Sequence, residues 1–193
     1  MDAMLIKRKI LPILRKYRVM KAGLFGSAAT GSSTHLTGEL FNMRAGLETL
    51  HIGYKGEPQA LAALLSNEVH YVVASYGATA GFLRAGRLRA VAVTSPVRLK
   101  ALPDVPAVAE TGFPGFDAGY WNGIFTTAKT PADVVEKLYT ALADSARSPQ
   151  VNEKLEALSL RVEAVRPQPF AAEIASDIDK WAEVIRTAKV AAQ

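Results

Sequence analysis

Apolar and polar residues along this chain alternate between a spacing typical of strands and a spacing typical of helices. The strand-type runs lie at residues 23–27, 49–52, 70–74, 89–94, 120–126 and 160–165. The helical stretches lie at residues 34–45, 58–66, 76–85, 131–147, 149–158 and 169–188. Strands that alternate with helices of this length predict an α/β fold with a mostly parallel sheet covered on both faces.

Several predicted helices carry recognisable ends. Thr130, Pro131 and Asp133 predict a helix with an N-cap hydroxyl and an acid in its first turn, and Ser148 precedes the next helix in the same way. Residues 95–116, rich in Pro and Gly, predict a loop between a front and a back part of the chain. The last helix has an apolar stripe, which predicts a packed face. Its members are Phe170, Ile174, Ile178, Trp181, Ile185 and Ala188.

The charge of the chain is concentrated at its N-terminal end. Residues 1–21 contain seven basic side chains and one acid, whereas the remaining residues contain 16 basic and 17 acidic side chains. Apolar spacing from Ile6 to Tyr17, with a kink at Pro12, predicts that residues 1–22 form a basic helical arm. The net charge of +5 therefore belongs to this arm, and we expect no nucleic-acid partner for the neutral body. The alternative is an interaction module whose arm binds nucleic acid or an anionic surface.

Composition excludes several classes of protein. With 49% hydrophobic and 21% charged residues, the chain can bury a core and is not of the disordered class. The absence of cysteine excludes disulfides, thiolate metal sites and a cysteine nucleophile. The charge-free runs at 22–38 and 69–83 are shorter than the roughly 20 residues of a membrane span. Residues 10–14 are too short for a secretory signal, so a genuine start at Met1 would predict a cytoplasmic protein.

A Gly- and Ser-rich stretch at residues 25–36 is the most informative segment. It follows a predicted strand and opens a predicted helix, where backbone amides and hydroxyls converge on the positive end of the helix dipole. The spacing from Gly26 to Gly31 overlays the Walker A motif, but Ser32 stands where that motif needs Lys, which argues against nucleotide hydrolysis. The stretch predicts a seat for a small carboxylate. A Gly-rich turn with an N-cap Ser is the alternative.

Two further loops are predicted at the same edge of the sheet. Tyr54 and Lys55 follow the second strand, and Ser75, Tyr76 and Gly77 end the third. Ligands collect at the carboxyl edge of open α/β sheets, so these residues are candidates for ligand contact. For Tyr54 and Lys55 a turn with an exposed cation is the alternative, and for Ser75 a purely structural role remains open.

Catalytic and metal sites find little support in the sequence. His35, His51 and His70 are not at metal-ligand spacing, which favours packing or hydrogen bonding for His35. The G-x-S-x-G elbow is absent, and the loops hold no acid pair near a candidate nucleophile. We therefore predict a binding protein and no enzyme, with no catalytic residue, no metal ligand and no cofactor.

Taken together, these segments resemble the extracytoplasmic solute receptors of tripartite tricarboxylate transporters, the Bug receptors. The resemblance runs in order and spacing from residue 23 to residue 188, and the combination is far more specific than any one segment. The segments are FGS at 25–27, GSSTHL at 31–36, GELF at 38–41, YKG at 54–56, RAGRLRAVAVTS at 84–95, LPDVP at 102–106, VAETGFPGF at 108–116, WNGI at 121–124, TP at 130–131 and WAEVI at 181–185.

The resemblance implies a periplasmic-binding-protein-like fold, the two-lobed Venus flytrap of type II. It implies a periplasmic receptor that captures dicarboxylates, tricarboxylates or aromatic acids and delivers them to a membrane permease. Family members are longer at the N-terminus. Residues 23–117 would then form a nearly complete lobe two, and residues 118–193 the returning part of a lobe one that lacks its N-terminal strands. Such a truncated lobe leaves apolar surface and an unpaired sheet edge, which predicts a homodimer.

The resemblance also implies which residues bind the ligand. Backbone amides, hydroxyls and ordered water would contact the carboxylate in place of an arginine fork. The chain departs from the family at His70 and near Ser75, where members tend to have Asp. The ligand-binding residues predicted from the loops and the resemblance are Ser27, Thr30, Gly31, Ser32, Ser33, Thr34, His35, Tyr54, Lys55, Ser75, Tyr76, Gly77 and Ala78.

Overall fold

A computed structural model of the chain describes residues 23–27 and 29–190. The predicted basic arm, residues 1–22, lies outside the described residues. The described chain divides into two compact units. Unit 1 contains the residues up to Tyr120 and those from Ala182 onward, and unit 2 is Trp121–Trp181. In the described part of the chain, no helix combines the length and the apolar character that crossing a membrane requires.

Unit 1 is built on a three-stranded parallel sheet. Its strands are β1 (Gly23–Ser27), β2 (Thr49–Gly53) and β3 (Tyr71–Val72). The order in the sheet is β2-β1-β3, with Ser27 beside Gly53 and Gly26 beside Val72. Because the strands are parallel and in this register, all three end at the same edge, and the loops that follow them lie there. The parallel sheet is the one that the alternating pattern predicts.

Each strand of unit 1 is followed by a helix whose ends match local sequence signals. The helices are α1 (Ser33–Ala45), α2 (Glu57–Leu65) and α3 (Tyr76–Arg84), followed by a 3₁₀ turn at Val108–Thr111. Ser32 caps α1, and Gly46 ends it in the left-handed conformation with φ of 62°, which glycine adopts without strain. Pro58 lies in the first turn of α2, where its missing N–H costs nothing. These three helices confirm the prediction to within one residue at each end.

The core of unit 1 combines apolar packing with one polar link. Ala60 and Leu61 of α2 and Val69 before β3 are each only 2% exposed. Asn42 of α1 is also buried, and both the oxygen and the nitrogen of its side-chain amide form hydrogen bonds. Its Oδ1 accepts a hydrogen bond of 2.7 Å from the Tyr71 hydroxyl, and its Nδ2 donates to Thr49 Oγ1 at 2.6 Å. Asn42 therefore ties α1 to β2 and β3, which fixes the helix over the sheet.

Unit 2 is largely helical. Its helices are α4 (Ala132–Arg147), α5 (Pro149–Ala157) and most of α6 (Pro167–Thr187). Trp121 packs edge-on against Phe170 with ring centroids 4.9 Å apart, and its indole N–H donates to Asp177 at 2.8 Å. A β-carbon at Gly123 would lie only 2.6 Å from the Phe170 ring. Glycine at 123 therefore lets the chain pass close to this aromatic contact.

Three predicted strands are wrong, and a fourth is shorter than predicted. The strand predicted at 70–74 is limited to Tyr71–Val72. Residues 89–94 form only an isolated bridge between Val93 and Ala107, and residues 120–126 and 160–165 are irregular. A strand exists only where a neighbour accepts its hydrogen bonds, so apolar composition alone does not make one. Among the described residues, these segments have no partner strand.

Two predictions about the helices are also wrong, one about a helix cap and one about a packed face. Thr130 does not cap α4. The cap position is Pro131, and the Thr130 hydroxyl bonds to the hydroxyls of Thr126 and Thr127. The apolar stripe of α6 is not covered along its whole length, because Ile178 is 63% exposed. Periodicity indicates which face is apolar, but only a packed neighbour buries that face.

Candidate functional site

The loop after β1 is held in shape by the start of α1. Gly31 adopts φ of 79°, a left-handed conformation in which a side chain would be strained. The Gly31 N–H donates to Nδ1 of His35 at 2.9 Å, and Ser32 Oγ accepts from the His35 N–H at 3.3 Å. Because these bonds fix the backbone on both sides of the cap, the first amides of α1 are held at the sheet edge, where a helix start favours an anion.

His35 is a buried structural residue at this helix start. It is 4% exposed, and its ring stacks on His51 of β2 with a centroid distance of 3.6 Å. Since Nδ1 accepts from Gly31, the proton of the neutral ring lies on Nε2, which is 3.4 Å from Glu39 Oε1. Burial lowers the pKa of His35. The geometry agrees with packing and hydrogen bonding, the role that the sequence favours over metal binding.

The histidine pair predicts an acid-sensitive fold. Burial, and then the neighbouring His35, lower the pKa of His51 from 6.5 to about 4. Between pH 6.5 and about 4 the unfolded chain therefore binds more protons at His51 than the folded chain does, so this contribution to stability is present above pH 6.5 and is lost as the pH falls. Burial also raises the pKa of Glu39, which acts in the opposite direction because the folded chain binds more protons at Glu39 than the unfolded chain does. We expect a loss of about 1–2 kcal/mol across this window, allowing for the partial exposure of His51.

Thermal unfolding between pH 7.5 and 4.5 measures this effect. The variant His51→Gln, which cannot ionise, should show a flatter dependence of Tm on pH than the wild type. Equal slopes for the two proteins would contradict the prediction.

A cavity of about 260 Å³ opens in unit 1 at the carboxyl edge of the sheet. The structure brings three of the predicted site residues together there: Ser33 and Thr34 from the start of α1, and Ser75 from the start of α3. Their role in ligand binding stays a prediction. The other lining residues were not predicted as site residues, and they are Thr37, Glu57, Val73, Ala74, Thr94, Ala118 and Tyr120.

Ser75 and Glu57 form the most tightly bonded contact of the cavity wall. Ser75 is the N-cap of α3, and its Oγ accepts from the Ala78 N–H at 3.3 Å. The Ser75 N–H donates to Glu57 Oε1 at 2.8 Å, and the Ser75 hydroxyl donates to Oε2 at 2.7 Å. Glu57, the first residue of α2, therefore holds the start of α3 in place. Of the ten lining residues that the structure describes, Glu57 alone carries a formal charge.

The remaining predicted site residues do not line this cavity. Ser27 ends β1, and Thr30 lies close to β2, because a β-carbon at Gly53 would be 3.2 Å from Thr30 Oγ1. Lys55 is exposed, and its backbone N–H donates to Gln59 at 3.1 Å. Tyr54 is half-buried beside Lys55, in the loop between β2 and α2. The others are parts of the two helix starts: Gly31, Ser32, His35, Tyr76, Gly77 and Ala78.

Sequence signals for the missed lining residues differ in strength. Thr37 follows Thr34 by three positions on the same helix, so helical spacing could have found it. Val73 and Ala74 directly precede the predicted Ser75. Thr94, Ala118 and Tyr120 are far away in the sequence and reach the cavity only through the tertiary fold, as when Thr37 Oγ1 donates to the Ala118 carbonyl at 3.5 Å.

The sequence profile described as the tripartite tricarboxylate transporter family receptor matches residues 18–190. The chain belongs to this receptor family. A curated relative from Pseudomonas sp. strain P51, a UPF0065 protein in the tcbD-tcbE intergenic region, is 34% identical over 180 residues. That match covers 92% of this chain and 54% of the relative. A UPF0065 protein of Pseudomonas knackmussii, from the clcB-clcD intergenic region, is 31% identical over 82% of this chain and 94% of its own length.

Solved structures of the receptor family share the fold. The R. palustris protein Rpa4515 with adipate has a TM-score of 0.81 and 29% identity, and the match covers 95% of this chain and 61% of that one. The periplasmic binding protein BugD has a TM-score of 0.75 and 29% identity over 96% of this chain and 62% of its own. MatC from Rhodopseudomonas palustris, with bound malate, has a TM-score of 0.74 and 25% identity over 92% and 61%.

These matches confirm the periplasmic-binding-protein-like fold that the resemblance implies. The chain spans about half to three fifths of the length of most of the family members that it matches. The tripartite tricarboxylate transporter receptors are periplasmic solute-binding proteins.

Proposed function

We propose that this protein is the solute-binding receptor of a tripartite tricarboxylate transporter and holds a small carboxylic acid in the cavity of unit 1. The observation that carries the proposal is the hydroxyl-lined cavity at the starts of α1 and α3, with Ser33, Thr34 and Ser75 in its wall. The backbone amides and hydroxyls at the start of α1 are hydrogen-bond donors that suit a ligand carboxylate. The cavity of about 260 Å³ is slightly smaller than the pockets of roughly 300–1,000 Å³ that hold drug-sized ligands, which suits a small acid.

Relatives with bound ligands support the same chemistry. One structural neighbour holds adipate and another holds malate. As a receptor, the protein would bind and release its ligand unchanged, in the periplasm, and pass it to the membrane permease of the transporter. Dicarboxylates, tricarboxylates and aromatic acids are the ligand classes to compare.

Isothermal titration with adipate, malate, citrate and benzoate tests the proposal, with the uncharged diamide of adipate as the control. We expect saturable binding of at least one acid at a stoichiometry near one, and no binding of the diamide. The absence of measurable binding for every acid at millimolar concentration would overturn the proposed function.

We also propose that the protein works as a homodimer. The supporting observation is apolar surface on unit 2, where Ile124 is 74% exposed and Phe125 is 66% exposed. On α4, Leu138 and Leu142 are 45% and 40% exposed. We expect a second copy of the chain to cover these apolar side chains, since exposed apolar surface often marks an interaction site. Size-exclusion chromatography with light scattering should give twice the mass of the chain, and a stable monomer would contradict the dimer.

A further inference from the structure

The contact between Glu57 and Ser75 has the geometry of a bound carboxylate. Both oxygens of Glu57 accept hydrogen bonds from one residue, the backbone N–H and the hydroxyl of Ser75, at 2.8 and 2.7 Å. Ser75 begins α3, so the negative side chain also lies at the positive end of that helix dipole. The donors that a ligand carboxylate would use at this helix start are therefore already occupied by a carboxylate of the chain itself.

The same contact sets the charge of the cavity. Glu57 is one of the ten described residues that line it, and the other nine, Ser33 and Thr34 among them, are uncharged. A ligand with two carboxylates would bring its second negative charge near Glu57, and none of the described lining residues is a lysine or arginine that could offset it. Like charges at close range repel more strongly in a partly desolvated site than in bulk water.

A neutral hydrogen-bond donor on the ligand is not repelled by Glu57 and can bond to it. Each carboxylate oxygen can accept more than one hydrogen bond, so Glu57 can keep Ser75 and still accept from a ligand hydroxyl or amide. The first carboxylate of the ligand would lie at the start of α1, whose hydroxyls at Ser33 and Thr34 line the same cavity.

We propose that Glu57 determines the specificity of this cavity and selects acids with one carboxylate and an uncharged donor group at the other end, against dicarboxylates. This inference rests on the proposed function, because it names the ligand class for the same site. The chain then departs from the adipate-binding neighbour in its choice of ligand, although it shares the fold.

Adipate and adipamate, its monoamide, test the proposal because they have the same length and differ only in one end group. We expect the wild type to bind adipamate about tenfold more tightly than adipate, the ratio that a modest like-charge repulsion produces. In Glu57→Gln the preference should fall to within about twofold, chiefly because adipate binds more tightly. The control Glu48→Gln removes the same charge from an exposed position outside the cavity lining and should keep the wild-type preference.

The possible outcomes separate the two proposals. If acids bind but Glu57→Gln keeps the wild-type preference, or if the wild type prefers adipate, the role of Glu57 is overturned and the receptor function stands. If the wild type and both variants bind no acid, the receptor function fails and the role of Glu57 fails with it. The comparison within the wild type needs no variant, so a wild type that prefers adipate, or that shows no preference, overturns the role of Glu57 even if Glu57→Gln folds poorly.

Discussion

Replacement of Ser33 with tryptophan is expected to weaken carboxylate binding at least 100-fold and to leave the fold intact. Ser33 is the first residue of α1, is exposed, and lines the cavity of about 260 Å³. An indole is large enough to fill much of a small cavity and would cover the helix start, where the ligand carboxylate accepts its hydrogen bonds. A 100-fold loss corresponds to about 2.7 kcal/mol of binding free energy.

Titration of the best-bound acid into Ser33→Trp measures the loss, and circular dichroism checks the fold. The matched control is Met43→Trp, on the same helix, where Met43 is 36% exposed and does not line the cavity. It should bind like the wild type. Unchanged affinity in a folded Ser33→Trp would show that the ligand lies elsewhere.

Replacement of His35 with alanine should lower the free energy of unfolding by about 2–3 kcal/mol. The side chain is 4% exposed, so its removal leaves a cavity and ends the stacking on His51. It also leaves the Gly31 N–H without its acceptor at 2.9 Å, in a loop whose glycine already holds a left-handed conformation. Three losses at one buried position explain the size of the effect.

Urea unfolding of His35→Ala measures this loss directly. The matched variant is His35→Asn, whose side-chain oxygen can take the place of Nδ1 and accept from Gly31 while the stacking is lost. We expect His35→Asn to recover about 1 kcal/mol, the worth of one hydrogen bond. A change below about 0.5 kcal/mol in His35→Ala would mean that His35 does not support the loop.

The helices of this protein were predictable because their signals are local. Pro58 and Pro149 each mark the start of a helix, and the periodic apolar residues that follow each proline indicate the span of that helix. Each signal acts through hydrogen bonds or sterics within a few residues, so the sequence contains all that is needed. The β1 and β2 strands were also found, since each is an apolar run followed by a turn and a helix.

Only part of the candidate site was predictable, for the same reason. Ser33, Thr34 and Ser75 lie at helix starts after strands, and parallel topology brings such positions to one sheet edge. Glu57 was missed because its importance comes from a contact with Ser75, 18 residues away. Thr94 and Ala118 were missed because no local sequence pattern indicates that they line the cavity.

By itself the sequence determined the α/β class, the helix positions, the Gly- and Ser-rich helix start and the receptor family, because each of these depends on residue type and spacing. The tertiary structure decided which apolar runs became strands, that His35 is buried against His51, and that Glu57 occupies the donors of Ser75. Pairing, burial and charge depend on which residues become neighbours in space, and a linear pattern does not state that.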